Sequence, residues 1–165
     1  MSDVFTPLRA ALDDGATAGL QTRFWLRDDD AVAPSAALDR LLRLGAEHGV
    51  PMTLAVIPRH TGPALAERLA GLPVEVAVHG WSHHDHAAAG RKSCELGPER
   101  TGAVMLDDLA RGLACLTHLH GVRAVPVLVP PWNRIEPALI PGLAGLGFRG
   151  LSVFGPEATG APPTR

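Results

Sequence analysis

Strand-like and helix-like segments alternate along most of this chain, and that alternation limits the folds open to it. TRFWLRD (22–28), PMTLAVIP (51–58), PVEVAVHG (73–80), AVPVLVPPW (124–132) and FRGLSVFG (148–155) are short, apolar, bounded by Pro, Gly or polar residues, and read as strands. Helical patterns lie between them. Residues 33–49 offer Pro34 for a first turn, Leu38, Leu41, Leu42 and Leu44 as an apolar stripe, and Gly49 as a stop. Residues 62–72 form a short helix, 97–121 the longest one, closed by Gly121, and 136–147 a weak one. A further helix is expected before residue 21, and the tail GPEATGAPPTR reads as turn and coil. Repeated β–α order with apolar strands implies an α/β fold built on a parallel sheet or barrel. At 165 residues the chain fits one domain with a sizeable core.

In such folds the C-terminal ends of the strands share one rim, where sites form. Asp28, Asp29 and Asp30 end the first strand, and Arg59 and His60 follow the second. His79–His86, with four of the eight histidines, follow the third, and Pro130, Pro131, Trp132, Asn133 and Arg134 follow the fourth. These polar groups should therefore converge. His79 and His83 are four residues apart, and two imidazoles with one carboxylate from Asp29 or Asp30 make a common hydrolytic metal set. A cation would also relieve repulsion within the acidic triplet. Alternation puts Val74, Val76 and Val78 on a face suited to helices, and Glu75, Ala77 and His79 on the face toward a barrel interior. It does not choose between Asp28/Asp30 and Asp29 as the inward set.

A formal net charge of −2 provides no basic field for nucleic acid or an anionic membrane. No window is apolar enough to span a bilayer, and the first residues lack a basic n-region, so a cytoplasmic protein is expected. Cys94 and Cys115 have no CxxC spacing and read as free thiols.

Three stretches together resemble the polysaccharide deacetylase superfamily (NodB-homology, carbohydrate esterase family 4-like). Arg27-Asp28-Asp29-Asp30-Ala31 matches its TFDDG motif. His79-Gly80-Trp81-Ser82-His83 matches H-[ST]-x-x-H, with Gly80 departing at the second position. Val129-Pro130-Pro131-Trp132-Asn133 matches the double proline and aromatic of RPPYG, with Val129 in place of the arginine. The resemblance spans residues 22–155 and implies a distorted, seven-stranded (β/α) barrel with about five strands in this chain. The family's later general-acid histidine has no counterpart after His120, so a C-terminal part of the barrel is expected to be missing.

The resemblance implies a metal-dependent deacetylase acting on an N-acetylated carbohydrate or related small molecule. A divalent metal, zinc first, would be held by Asp30, His79 and His83. Asp29 would be the catalytic base, and a backbone N–H near Trp132 would meet the developing oxyanion. Trp81, Pro131, Trp132 and Asn133 would line the substrate, with Arg27, His84, His86 and Arg134 in support. The alternative is an inactive metal- or sugar-binding relative. His48, His118 and His120 read as surface residues, and Asp107 and Asp108 as solvated.

Overall fold

The computed structural model describes residues 3–154, so the tail reading from residue 155 onward lies outside it. Five strands, β1 (Leu26–Ala31), β2 (Met52–Val56), β3 (Val74–Val78), β4 (Ala124–Leu128) and β5 (Gly150–Leu151), form one sheet in the order β1-β2-β3-β4-β5. Every neighbouring pair is parallel. Helices α1 (Thr6–Thr17), α2 (Ala36–His48), α3 (Pro63–Arg68), α4 (Gly102–His120) and α5 (Ile140–Leu143) come in the expected order. Among the described residues β1 and β5 remain edges, so the barrel is not closed.

The sheet has two apolar faces, as parallel strands require. On one, Leu54, Val56, Val76, Val78 and Leu128 pack with Leu38, Leu42, Leu65, Leu69, Met105, Leu109 and Leu116 from the helices. On the other, Ala55, Ala77 and Val129 cluster with Val125 and Val127. Small side chains on this second face suit the concave interior of a barrel. Helix α2 starts where Ser35 Oγ accepts the N–H of Leu38 at 3.1 Å and stops at Gly49, whose φ of 64° suits glycine. Pro34 thus precedes the cap. Leu44 lies off the buried stripe, and Gly45 faces β2 instead, where a Cβ would meet Met52 Cε at 2.3 Å.

Several elements differ from expectation. Strand β1 begins at Leu26 and runs through the acidic triplet, because Met52–Val56 of β2 supply its pairing partners there. Phe24 and Trp25 stay exposed ahead of it. The last strand shortens to two residues, pairing with Val127 and Leu128 alone. Residues 137–146 break into two 3₁₀ turns around the single turn α5, since Pro141, Gly142 and Gly145 disfavour a longer helix.

Two residues of α4 correct the surface readings. Asp108 is buried, bound to Arg100 Nη2 at 2.5 Å and to Arg111, while Asp107 stays exposed and meets Arg111 Nε at 3.2 Å. His120, the last residue of α4, is buried, and neither ring nitrogen has a partner among the described residues. His118 and His48 are exposed. Burial first, then the charge of Arg123, holds the His120 pKa below the ordinary value. The unfolded ring titrates near pH ~6.5. Below that pH the unfolded chain takes up a proton that the folded chain resists, so stability falls with acid until the folded ring also titrates. His120→Leu should remove this sensitivity. Its lead over wild type in urea midpoint should widen from pH 7.5 to 5.5; parallel profiles would refute the assignment.

Candidate metal centre

The ambiguity over which aspartates face inward is resolved by a bulge. Asp28 pairs with Leu54 and Ala31 with Val56, so Asp29 and Asp30 oppose Ala55 alone. Asp30 takes a left-handed φ of 70°. An inserted residue re-aims side chains, and here it lets two successive carboxylates serve the concave rim. Asp29 stays on the side of Arg27, which holds both its oxygens at 2.7 and 3.0 Å and donates to Ser152 Oγ at 2.6 Å. Asp30 turns to the histidines. Asp28 faces the α2 side beside Ala31, Leu38 and Leu41, and its carboxyl is pushed up by burial, then by Asp29 and Asp30.

His79 continues β3: its N–H donates to Val56 O at 2.9 Å, and its ring is buried. Nδ1 lies 2.8 Å from the Val129 carbonyl, and Nε2 lies 3.1 Å from Asp30 Oδ1. His83 Nε2 is 3.2 Å from the same oxygen. One donor atom from each of Asp30, His79 and His83 lies within 4.8 Å of the others.

The donor set fits a cation. A carbonyl only accepts, so His79 Nδ1 carries the ring proton and the neutral ring's Nε2 presents a lone pair. That lone pair faces a carboxylate oxygen, which also only accepts. Either a second ring proton or a cation between the two must satisfy them. Two imidazoles and one carboxylate leave positions free for water, as hydrolytic metals need. The Val129 carbonyl is the kind of partner that orients a metal-bound histidine.

His83 is placed by its loop and by Trp132. Its φ is 55°, and its ring packs 4.2 Å from the Trp132 ring at 51°. Trp132 and Asn133 also take left-handed φ, after the Pro130-Pro131 pair. Pro131 is buried against Gly80, and Asn133 is exposed.

The other candidates scatter. Trp81 turns away from Trp132 to lie 4.6 Å beneath the Arg111 guanidinium. It borders an outer pocket with Arg59, His60, His84, His86 and Arg100, and His83 lines the same pocket, so this pocket adjoins the metal centre. His84 and His86 stack edge-on at 4.8 Å, and burial first, then Arg100, lowers the His86 pKa. His60 Nε2 lies 3.2 Å from Ser82 O. Arg134 donates to Ser93 O at 2.9 Å and so clasps a loop, leaving Asp29 to Arg27. Cys94 and Cys115 are free.

A sequence model described as polysaccharide deacetylase matches residues 21–151, most of the chain. The chain belongs to the polysaccharide deacetylase family. No curated protein matches it by sequence. Among solved structures, a family 4 carbohydrate esterase from Streptomyces lividans in complex with acetate is 19% identical with a TM-score of 0.59, over 76% of this chain and 59% of that one. The Bc1960 peptidoglycan N-acetylglucosamine deacetylase is 16% identical with a TM-score of 0.60, over 77% and 54%. A family 4 acetyl xylan esterase from Clostridium thermocellum, in complex with a cobalt ion, is 19% identical with a TM-score of 0.54, over 71% and 52%. At such identities the likeness is one of fold. This deacetylase-family chain therefore spans just over half the length of those structures. No helix among its described residues is long and apolar enough to cross a membrane.

Sequence reasoning missed Glu95. It lies in the long connection between β3 and α4, wholly buried, with its carboxylate against the backbone of residues 81–83. Its sequence signal is slight: Glu95 is one of five charged residues in RKSCELGPER (91–100), and nothing in that run marks it as the buried one.

Proposed function

We propose that this chain carries the metal centre and base of a hydrolase that removes acetyl or similar acyl groups from an N-acylated carbohydrate or related small molecule. The observation that carries the reading is the meeting of two imidazoles and a carboxylate at Asp30, His79 and His83. These three would hold a divalent cation of the zinc type. Such an ion, once bound, lowers the pKa of a coordinated water and polarises the acyl carbonyl.

The chain's own groups supply the rest. Asp29 accepts the proton of the attacking water on a carboxylate oxygen. Arg27 fixes the carboxylate plane from the same strand, β1. His79 Nδ1–H donates to the Val129 carbonyl, so Nε2 keeps its lone pair for the cation. Trp132 holds the His83 ring and walls the rim, with Pro131 and Asn133 beside it for the acyl group or sugar. A backbone N–H near Trp132 meets the developing oxyanion. The fold likeness to an acetyl xylan esterase and an N-acetylglucosamine deacetylase supports an acylated sugar as the first substrate to try.

The test is metal content after dialysis, for wild type and for His79→Ala and Asp30→Ala. About one zinc or similar ion per wild-type chain, lost in both variants, is expected, together with hydrolysis of a simple acetyl ester. A folded chain that retains no metal would sink the reading.

A further inference from the structure

Glu95 has no cation for a partner among the described residues. Its Oε1 accepts the Ser82 N–H at 2.7 Å and the Ser82 hydroxyl at 3.0 Å. Its Oε2 accepts the His83 N–H at 3.2 Å, and the Trp81 N–H lies 3.3 Å from both oxygens. Three successive residues thus wrap one buried carboxylate. Hydrogen bonds to an ionised acceptor are stronger than neutral ones, and a buried donor left without a partner is costly. The loop carrying His83 is therefore organised around this side chain.

Gly80 belongs to the same arrangement. It has a φ of 60°, and a Cβ there would stand 2.1 Å from Glu95 Oε2 and 2.7 Å from Pro131 Cγ. The departure of Gly80 from H-[ST]-x-x-H thereby acquires a physical reason: a side chain at position 80 would occupy the space that the carboxylate needs.

We propose that Glu95 is the positioning residue for His83, fixing the backbone that aims the ring at Asp30; this rests on the metal-site reading above. The carboxylate acts through the loop and touches neither cation nor substrate. Glu95→Gln tests it at constant size. An amide has one acceptor and one donor end, so in either orientation its NH₂ confronts a loop N–H. Removing a partner that orients a metal ligand typically costs about 10–100-fold in affinity.

The experiment is a Zn²⁺ titration of the full chain against a chromophoric chelator, with urea midpoints measured on the metal-free proteins. Glu95→Gln should bind Zn²⁺ about 10–100-fold more weakly than wild type while remaining folded. In a His83→Ala background the same substitution should add less than about threefold, because its route to the metal has already been removed. Should Glu95→Gln fail to fold, Glu95→Asp takes its place: it keeps the charge but withdraws the carboxylate by one methylene from the loop N–H groups, and the same loss of Zn²⁺ affinity is expected. Wild-type affinity in folded Glu95→Gln or Glu95→Asp, or full multiplicativity with His83→Ala, would overturn this proposal alone. Failure of wild type to bind Zn²⁺ would overturn it together with the metal-site reading.

Discussion

Asp29→Asn will cut acetyl-ester hydrolysis by about 10²–10⁴-fold while leaving metal content at the wild-type level. The substitution keeps the shape of the side chain and leaves an oxygen for the Arg27 fork, which now holds both carboxylate oxygens. It removes the charge that lets the group take a proton. Asp29 is absent from the trio of converging donor atoms, so the metal should stay. Asp30→Ala is the contrast: it should lose metal and activity together. Arg27→Met should resemble Asp29→Asn in retaining metal, and should lower kcat more than it raises KM. Activity of Asp29→Asn within about threefold of wild type would rule Asp29 out as base. Loss of its metal would make it a ligand.

Asp108→Ala will destabilise the fold by about 3–5 kcal/mol, the usual cost of stranding a buried charge. The Asp108 and Arg100 side chains are 7% and 13% exposed and meet at 2.5 Å. Without Asp108, the Arg100 guanidinium keeps the Glu95 carbonyl at 3.5 Å as its remaining hydrogen-bond acceptor among the described residues. Such a loss is a large share of a typical margin of about 5–15 kcal/mol. Asp107→Ala, one residue away, removes a carboxylate that is 71% exposed and should stay within about 0.5 kcal/mol of wild type. Urea titration separates the two: the Asp108→Ala midpoint falls with the slope unchanged. Replacing the pair together by apolar residues, Arg100→Met with Asp108→Leu, should recover most of the loss. Equal midpoints for Asp107→Ala and Asp108→Ala would show that burial does not govern this cluster.

The β–α order was legible because buried parallel strands are continuous apolar runs, and β2 and β3 fell within their expected bounds. The convergence of Asp30, His79 and His83 was legible because strand ends share a rim. Arg27 beside Asp29 was also within reach, since residues two apart on a strand share a face. The bulge was not: a period of two cannot register one inserted residue, and so could not say why neighbours 29 and 30 both serve the site. Glu95 was hidden for another reason. Its partners are mainly backbone N–H groups, which every non-proline residue carries and no sequence pattern marks. Asp108 and His120 were misread as solvent-facing because helical spacing alone did not reveal that Arg100 folds back over one and the helix end buries the other.

Four non-glycine residues among those described take a left-handed backbone: Asp30, His83, Trp132 and Asn133. All four belong to the rim, and none to the layers beneath it. Such a conformation costs a residue with a Cβ up to about 1–2 kcal/mol, and least at Asp and Asn. An engineer seeking a more heat-resistant protein would find that glycine at any of the four relieves this cost and, under the reading above, discards a side chain that the site uses. The scaffold below carries the load that lets the rim hold these shapes. New specificity on this fold would then be limited less by which chemistry the rim can host than by how much reserve stability remains to tolerate reshaping it.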